Sequence, residues 1–188
     1  MSSDSPAGVP ERPPALRSAR SALAPSPIPP RRGTPTGLAH FNGVPAEAAE
    51  ALLLTCCGSL RWARRVAAHR PYPDLDALLA ACDEAGYDLS PTDMHEALSR
   101  ETSAGLHPGA PQAAHTALAA AHAAYESRFG HAFVICLDKY GPHEHLDQLL
   151  AGIRSRLSHE PDEERSVSAD EMRALARSRV ARAMAGRP

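Results

Sequence analysis

Asp74-Leu75-Asp76-Ala77-Leu78-Leu79-Ala80-Ala81-Cys82-Asp83-Glu84-Ala85 is the stretch that decides the fold class of this chain. Leu75, Leu78, Leu79 and Cys82 recur at i, i+3, i+4 and i+7, the spacing that gathers side chains on one face of an α-helix. The other positions are alanine or acidic, so the opposite face is small or charged. Alanine is the best helix former and a poor strand former. Hydrophobic residues make up 43% of the 188-residue chain but aromatics only 4%, which suits closely packed helices rather than a sheet. The expected fold class is all-α, a single compact helical bundle with a disordered Pro-rich N-terminal tail.

Working outward, the same periodicity returns. Val44 to Thr55 reads as a helix with Pro45 in its first turn, where a missing N–H costs nothing. Ser59 to His69 reads as a short one, stopped ahead of Pro71 because the residue before proline avoids helical geometry. Ser90-Pro91-Thr92-Asp93 opens the next helix, the serine capping and the proline pre-set for the first position, with an end expected near Glu101. Residues 102–111, with two glycines and two prolines, read as a loop. Gln112 to Phe129 is a long alanine-rich helix closed by Gly130. His131 to Leu137 is the one strand-like run, or alternatively an extended connection between helices. Pro142 to Leu157 is amphipathic through Leu146, Leu149, Leu150, Ile153 and Leu157. Ser168-Ala169-Asp170-Glu171 reads as a capping box that starts a final helix.

Residues 1–36 hold nine of the 18 prolines and five arginines against Asp4 and Glu11, which fits a solvated tail rather than a packed element. The remainder, 37–188, is read as one domain. The formal net charge is −2, so no global basic field points to nucleic acid or a membrane surface. No apolar run approaches the roughly 20 residues needed to span a bilayer, and no apolar leader opens the chain. The expected location is the cytoplasm.

Cys56, Cys57, Cys82 and Cys136 fit neither a disulfide framework nor a zinc pattern, and read as free thiols of a reducing compartment. Ten histidines invite a metal reading, with His143 and His145 flanking Glu144 and with His115 and His122 seven apart. No His-Glu-x-x-His occurs, and a catalytic zinc wants three protein ligands, so no metal is expected. Asp162-Glu163-Glu164-Arg165 reads as a solvated face. No Walker loop, dinucleotide fingerprint or nucleophile elbow is present.

Four local sequences together resemble the 2-oxo-4-hydroxy-4-carboxy-5-ureidoimidazoline (OHCU) decarboxylase family. They are Phe41-Asn42; Cys56-Cys57-Gly58-Ser59 with Trp62 and Arg70-Pro71-Tyr72; Tyr125 to Cys136; and Ile153 to Pro161. The resemblance runs from about Leu38 to Met184. It implies a cofactor-free decarboxylase that finishes urate breakdown to (S)-allantoin, acting on a small-molecule ureidoimidazoline, with a homodimer as the common family assembly. It also implies that the backbone of Phe133, Val134, Ile135, Cys136 and Leu137 contacts a planar substrate, with Arg128 near the rim. For Trp62 and Tyr72 an ordinary core position is the expectation.

The catalytic segment departs from the family pattern. There, as the resemblance implies, a His-Pro dipeptide at a helix end supplies the proton donor, and a Ser-x-x-Glu-Gln turn orients the substrate. Here register places Glu101 where histidine is expected, and the nearest His-Pro is His107-Pro108, six residues later. His95, Glu101 and His107 are the candidate acids, with His107 and Glu101 as the catalytic candidates and Pro108 beside the substrate. A carboxylic acid donates at neutral pH only when burial keeps it protonated, whereas imidazole titrates near pH ~6.5. The alternatives are a related lyase using Glu101, or a degenerate paralogue that kept the fold as a binding or scaffold protein. Deleting residues 1–36 is expected to leave the thermal midpoint nearly unchanged, because the segment has little to bury. A calorimetric loss of several degrees would show that it packs on the domain.

Overall fold

The computed structural model describes residues 36–186; the expected tail, residues 1–36, lies outside them but for Thr36. The helices are α1 Thr36–Gly43, α2 Ala46–Cys56, α3 Leu60–Ala68, α4 Leu75–Tyr87, α5 Pro91–Ser99, α6 Gln112–Phe129, α7 His145–Arg156 and α8 Pro161–Met184. The described residues contain eight helices and no strand, the all-α architecture that the periodicity requires.

Local chemistry sets the helix ends. Ser59 Oγ accepts from the Trp62 amide at 3.3 Å and Asp74 Oδ1 from the Ala77 amide at 2.8 Å, each satisfying a first-turn donor. Ser90 and Asp93 form a reciprocal capping box with Pro91 in the first turn of α5. Gly130 ends α6 in the left-handed region at φ 77°, where a side chain would be strained.

The apolar faces assemble two cores. The larger joins α1 to α5 with α8 and centres on Phe41, Leu53, Trp62, Leu78 and Val180. The smaller joins α6 and α7 around Leu118, Tyr125, Leu149 and Ile153. Residues 131–137 run extended between them without pairing into a strand. Successive side chains of extended backbone point to opposite sides, so Phe133 enters the smaller core and Val134 the larger.

Two of the quoted motifs meet in the larger core. Asn42 Nδ2 donates to the Tyr72 carbonyl at 2.9 Å and Asn42 Oδ1 accepts from the Tyr72 amide at 3.0 Å. Arg70 also donates to the Val44 carbonyl at 2.8 Å. Trp62 and Tyr72 are buried, their polar atoms donating to the carbonyls of Cys82 and Val66, so both are core aromatics. Cys56, Cys57 and Cys82 are buried free thiols and Cys136 is half-buried. Burial pushes Cys57 up to about 11 and Cys82 up to about 12, which keeps them protonated and unreactive at neutral pH.

Several boundaries differ from the sequence reading. A helix precedes Val44, because Leu38 and Phe41 bury fully against α8. The helix expected from Pro142 begins at His145, after a turn. The final helix starts at Pro161, not at Ser168. Proline suits the first turn, and Asp162, Glu163 and Glu164 complement the positive helix end. Ser168 is no cap: it is fully buried, donating to Glu164 at 3.0 Å and accepting from Arg156 at 2.9 Å.

Nor is Glu164 part of a solvated face; it is 1% exposed. Arg156 Nε donates to it at 2.9 Å, Tyr125 donates its hydroxyl to it, and His159 Nδ1 lies 2.9 Å from its other oxygen. Desolvation pushes the Glu164 carboxyl up, but the Arg156 and Tyr125 hydrogen bonds and the Arg156 charge outweigh it and hold it below the usual 4.5. Because the folded value is depressed, the pair's stabilisation is complete above pH 4.5 and is lost as pH falls through that lowered value. Glu164→Ala should cost about 3–5 kcal/mol in urea titration, since Arg156 would remain buried without its counter-charge. The deficit relative to the parent should shrink under acid conditions.

Candidate active site

The C-terminal end of α5, the turn over residues 99–103 and the start of the extended segment border an open, shallow cavity of about 600 Å³. Leu98 forms part of its wall, with His95, Glu101, Ser103, Glu126 and His131 supplying polar groups. Ser103 ties the two walls together. Its hydroxyl accepts from the Phe133 amide at 2.9 Å and donates to Glu126 Oε1 at 2.8 Å. His131 stands half-buried, its ring edge against Tyr125 with centroids 5.6 Å apart.

Farther along the segment, residues 133–137 line neither this cavity nor its neighbour, and some of their backbone groups are held while others are unpaired. The Cys136 amide donates to Glu171 Oε2 at 2.7 Å, and the Val134 carbonyl accepts from Arg156 Nη1 at 2.7 Å. Glu171, read from the sequence as half of a cap, is thus a clamp on this segment. Among the described residues the amides of Val134, Ile135 and Leu137 have no hydrogen-bond partner. Phe133 and Val134 are buried, while Ile135, Cys136 and Leu137 are half-buried.

The expected acids fall in different places. Glu101 lines the cavity, but Arg179 grips both carboxylate oxygens, at 2.7 and 2.8 Å. The side chain of Glu101 is 9% exposed, and the hydrogen bonds that Arg179 donates to it hold the guanidinium charged against the cost of burial. Such a fork-to-fork pair is built for a carboxylate, which accepts and does not donate. His107 sits on the exposed 102–111 loop, its Nδ1 accepting from the Gly109 amide at 3.0 Å; neither it nor Pro108 reaches the cavity. Arg128 donates to the His159 carbonyl at 2.9 Å and lines a neighbouring cavity rather than this one.

Ser103, Glu126, His131 and Arg179 were not singled out from the sequence. Arg179 had a faint signal, lying eight residues after Glu171 on one face of α8, whereas Ser103 acquires meaning only through its contact with Phe133. Behind the segment, burial lowers the His122 imidazole below the usual 6.5 despite the opposing pull of Glu126. Among the described residues no group of three or more His, Cys, Asp or Glu side chains is placed to hold a metal.

A family model described as OHCU decarboxylase matches residues 42–103 and 99–181. The two stretches overlap at 99–103, the turn that carries Glu101. Among solved structures, an OHCU decarboxylase in the presence of (S)-allantoin is 22% identical, with a TM-score of 0.61 over 74% of this chain and 97% of that one. An (S)-allantoin synthase is 18% identical with a TM-score of 0.59, covering 78% of this chain; the chain spans about half, 53%, of that protein's length. At these identities the likeness is one of fold. No curated protein matches the sequence.

Ser103→Ala removes the acceptor of the Phe133 amide, and an orphaned buried donor costs about 1–3 kcal/mol. Amide hydrogen exchange should show faster exchange at Phe133, with little change at Trp62 in the other core.

Proposed function

The chain belongs to the OHCU decarboxylase family, and from that premise we propose that it is a cofactor-free carboxy-lyase of urate breakdown. Its reaction converts 2-oxo-4-hydroxy-4-carboxy-5-ureidoimidazoline to (S)-allantoin. The observation that supports this reading is the cavity between the 99–103 turn and residues 130–132, the chain just ahead of an extended segment whose amides at Val134, Ile135 and Leu137 are unpaired among the described residues. A planar ring acid rich in carbonyl groups would be read by the amides of Val134, Ile135 and Leu137. Phe133 and Cys136, fixed by Ser103 and Glu171, would keep that backbone in place.

In the proposed reaction the bond between the ring carbon and its carboxylate breaks and carbon dioxide leaves. The electron pair delocalises into the adjacent C=N, and one proton then returns to the carbon. No electron acceptor is needed. The protein has to hold the carboxylate out of the ring plane and deliver that proton to one face. We assign delivery to His131, the half-buried imidazole on the cavity wall beside the extended segment. His107 would have to cross from the exposed loop, and Glu101 would first have to leave Arg179. The protein of this proposal is cytoplasmic and homodimeric.

A second reading, that of a binding or scaffold protein that lost the chemistry, draws support from one observation. Both oxygens of Glu101, at the register of the family's proton donor, are taken by Arg179. Circular dichroism of freshly formed urate-oxidation product separates the two. The decarboxylase reading expects (S)-allantoin to appear faster with the protein, and His131→Ala to slow it by about 10²–10⁴, the usual worth of a positioned acid. His107→Ala should stay near the parent rate. No acceleration by the parent protein would overturn the decarboxylase reading and favour the second.

A further inference from the structure

A second cavity, of about 480 Å³, opens on the far side of His95, Leu98 and His131 from the site described above. It lies among the α4–α5 turn, the first half of α5, the end of α6 and the first turns of α8. Its features are unlike those of the first cavity. Tyr87 at its lip is the large apolar side chain left exposed among the described residues, at 71%. The Arg173 guanidinium lies 4.1 Å from the centre of that ring, a cation–π stack.

The stack is set in place by its surroundings. A Cβ on Gly86 would stand 2.8 Å from Arg173 Cγ, so only glycine leaves room for the arginine stem. The Arg173 side chain is 16% exposed and is also held by Asp170. The same cavity is lined by Leu98, which is buried, and by Met94 and Phe129, which are half-buried, so it has an apolar part.

The charge balance of the lining is positive. Arg165 is paired with Asp162 and Arg173 with Asp170, and the Glu164 carboxylate is neutralised by Arg156. Arg128 donates to a neutral carbonyl, and among the described residues it has no carboxylate partner. A cavity whose lining combines apolar side chains, a guanidinium–tyrosine stack and a guanidinium with no carboxylate partner among the described residues selects for a ring that carries an anion.

We infer that this cavity binds an aromatic or heteroaromatic carboxylate, its ring on the Tyr87–Arg173 stack and its carboxylate on Arg128. The site is separate from the proposed decarboxylation centre and does not depend on that chemistry. Sharing His95, Leu98 and His131 with the first cavity, it places its ligand against the wall of that site.

Isothermal titration calorimetry of the full chain tests this with 2-naphthoate, its neutral counterpart 2-naphthamide, and inorganic phosphate. The expected result is one saturable site for 2-naphthoate, at least tenfold weaker binding of the amide, and no saturable binding of phosphate. Tyr87→Ala and Arg128→Gln, both exposed and tolerable to the fold, should each weaken 2-naphthoate by tenfold or more. Gly86→Ala, which displaces Arg173, should do the same with the helical circular dichroism unchanged. Equal binding of acid and amide would overturn the anion assignment. Affinity indifferent to Tyr87→Ala and Gly86→Ala would overturn the stack. Phosphate binding lost in Arg128→Gln but kept in Tyr87→Ala would reduce the cavity to a plain anion site and contradict the proposal.

Discussion

Arg156 and Glu164 form a buried ion pair at the junction of three helices, and the placement of the rest of the site rests on it. Both charges are nearly out of contact with solvent, at 6% and 1% exposure. Desolvating such a pair costs several kcal/mol per ion unless the remaining donors and acceptors are met, and here they are. Tyr125 of α6 and Ser168 of α8 complete the set around Glu164, and the guanidinium also covers the Phe133 ring at 4.6 Å. The same guanidinium donates to the Val134 carbonyl. Arg156 therefore fixes α7 to α8, to α6 and to the extended segment, and the Tyr125–Glu164 hydrogen bond ties α6 to α8. Without Arg156 the Val134 carbonyl would lose its partner, leaving Ser103 and Glu171 as the side chains that hold the segment's backbone.

That arrangement explains how a connection with no regular structure can present a fixed surface. Ser103, Arg156 and Glu171 hold the Phe133 amide, the Val134 carbonyl and the Cys136 amide, respectively. The amides left over, at Val134, Ile135 and Leu137, have no hydrogen-bond partner among the described residues and sit beside groups that are held. Rigid presentation of donors is what backbone recognition of a planar ligand requires. The imidazole of His131 stands at the entrance of the same segment, next to the turn that carries Glu101.

The helices were legible because their signal is local. Leu75, Leu78, Leu79 and Cys82 repeat every turn, and caps such as Ser90 with Asp93 act within four residues. What escaped was settled by distant partners. Glu164, inside an acidic run, reads as solvated until Arg156 is placed against it. Ser168 and Glu171 have the spacing of a capping box, but each is drawn into a tertiary contact that outweighs the local one. The shortness of α1 hid its periodicity, and Leu38 and Phe41 gain their meaning from α8. In the site the register of Glu101 could be counted along the chain. Its capture by Arg179, 78 residues on, could not be. The position of His107 was equally beyond reach, since loop geometry is set by what the loop covers.

The central claim is that the clamped segment, 133–137, is the ligand-reading surface of a decarboxylase-fold protein. Backbone amide NMR during titration with (S)-allantoin, the product of the proposed reaction, tests it most directly. The account predicts saturable shifts at the amides of Val134, Ile135 and Leu137 and at His131, with α2 and α3 silent. Shifts confined to other surfaces, or none at millimolar ligand, would contradict it.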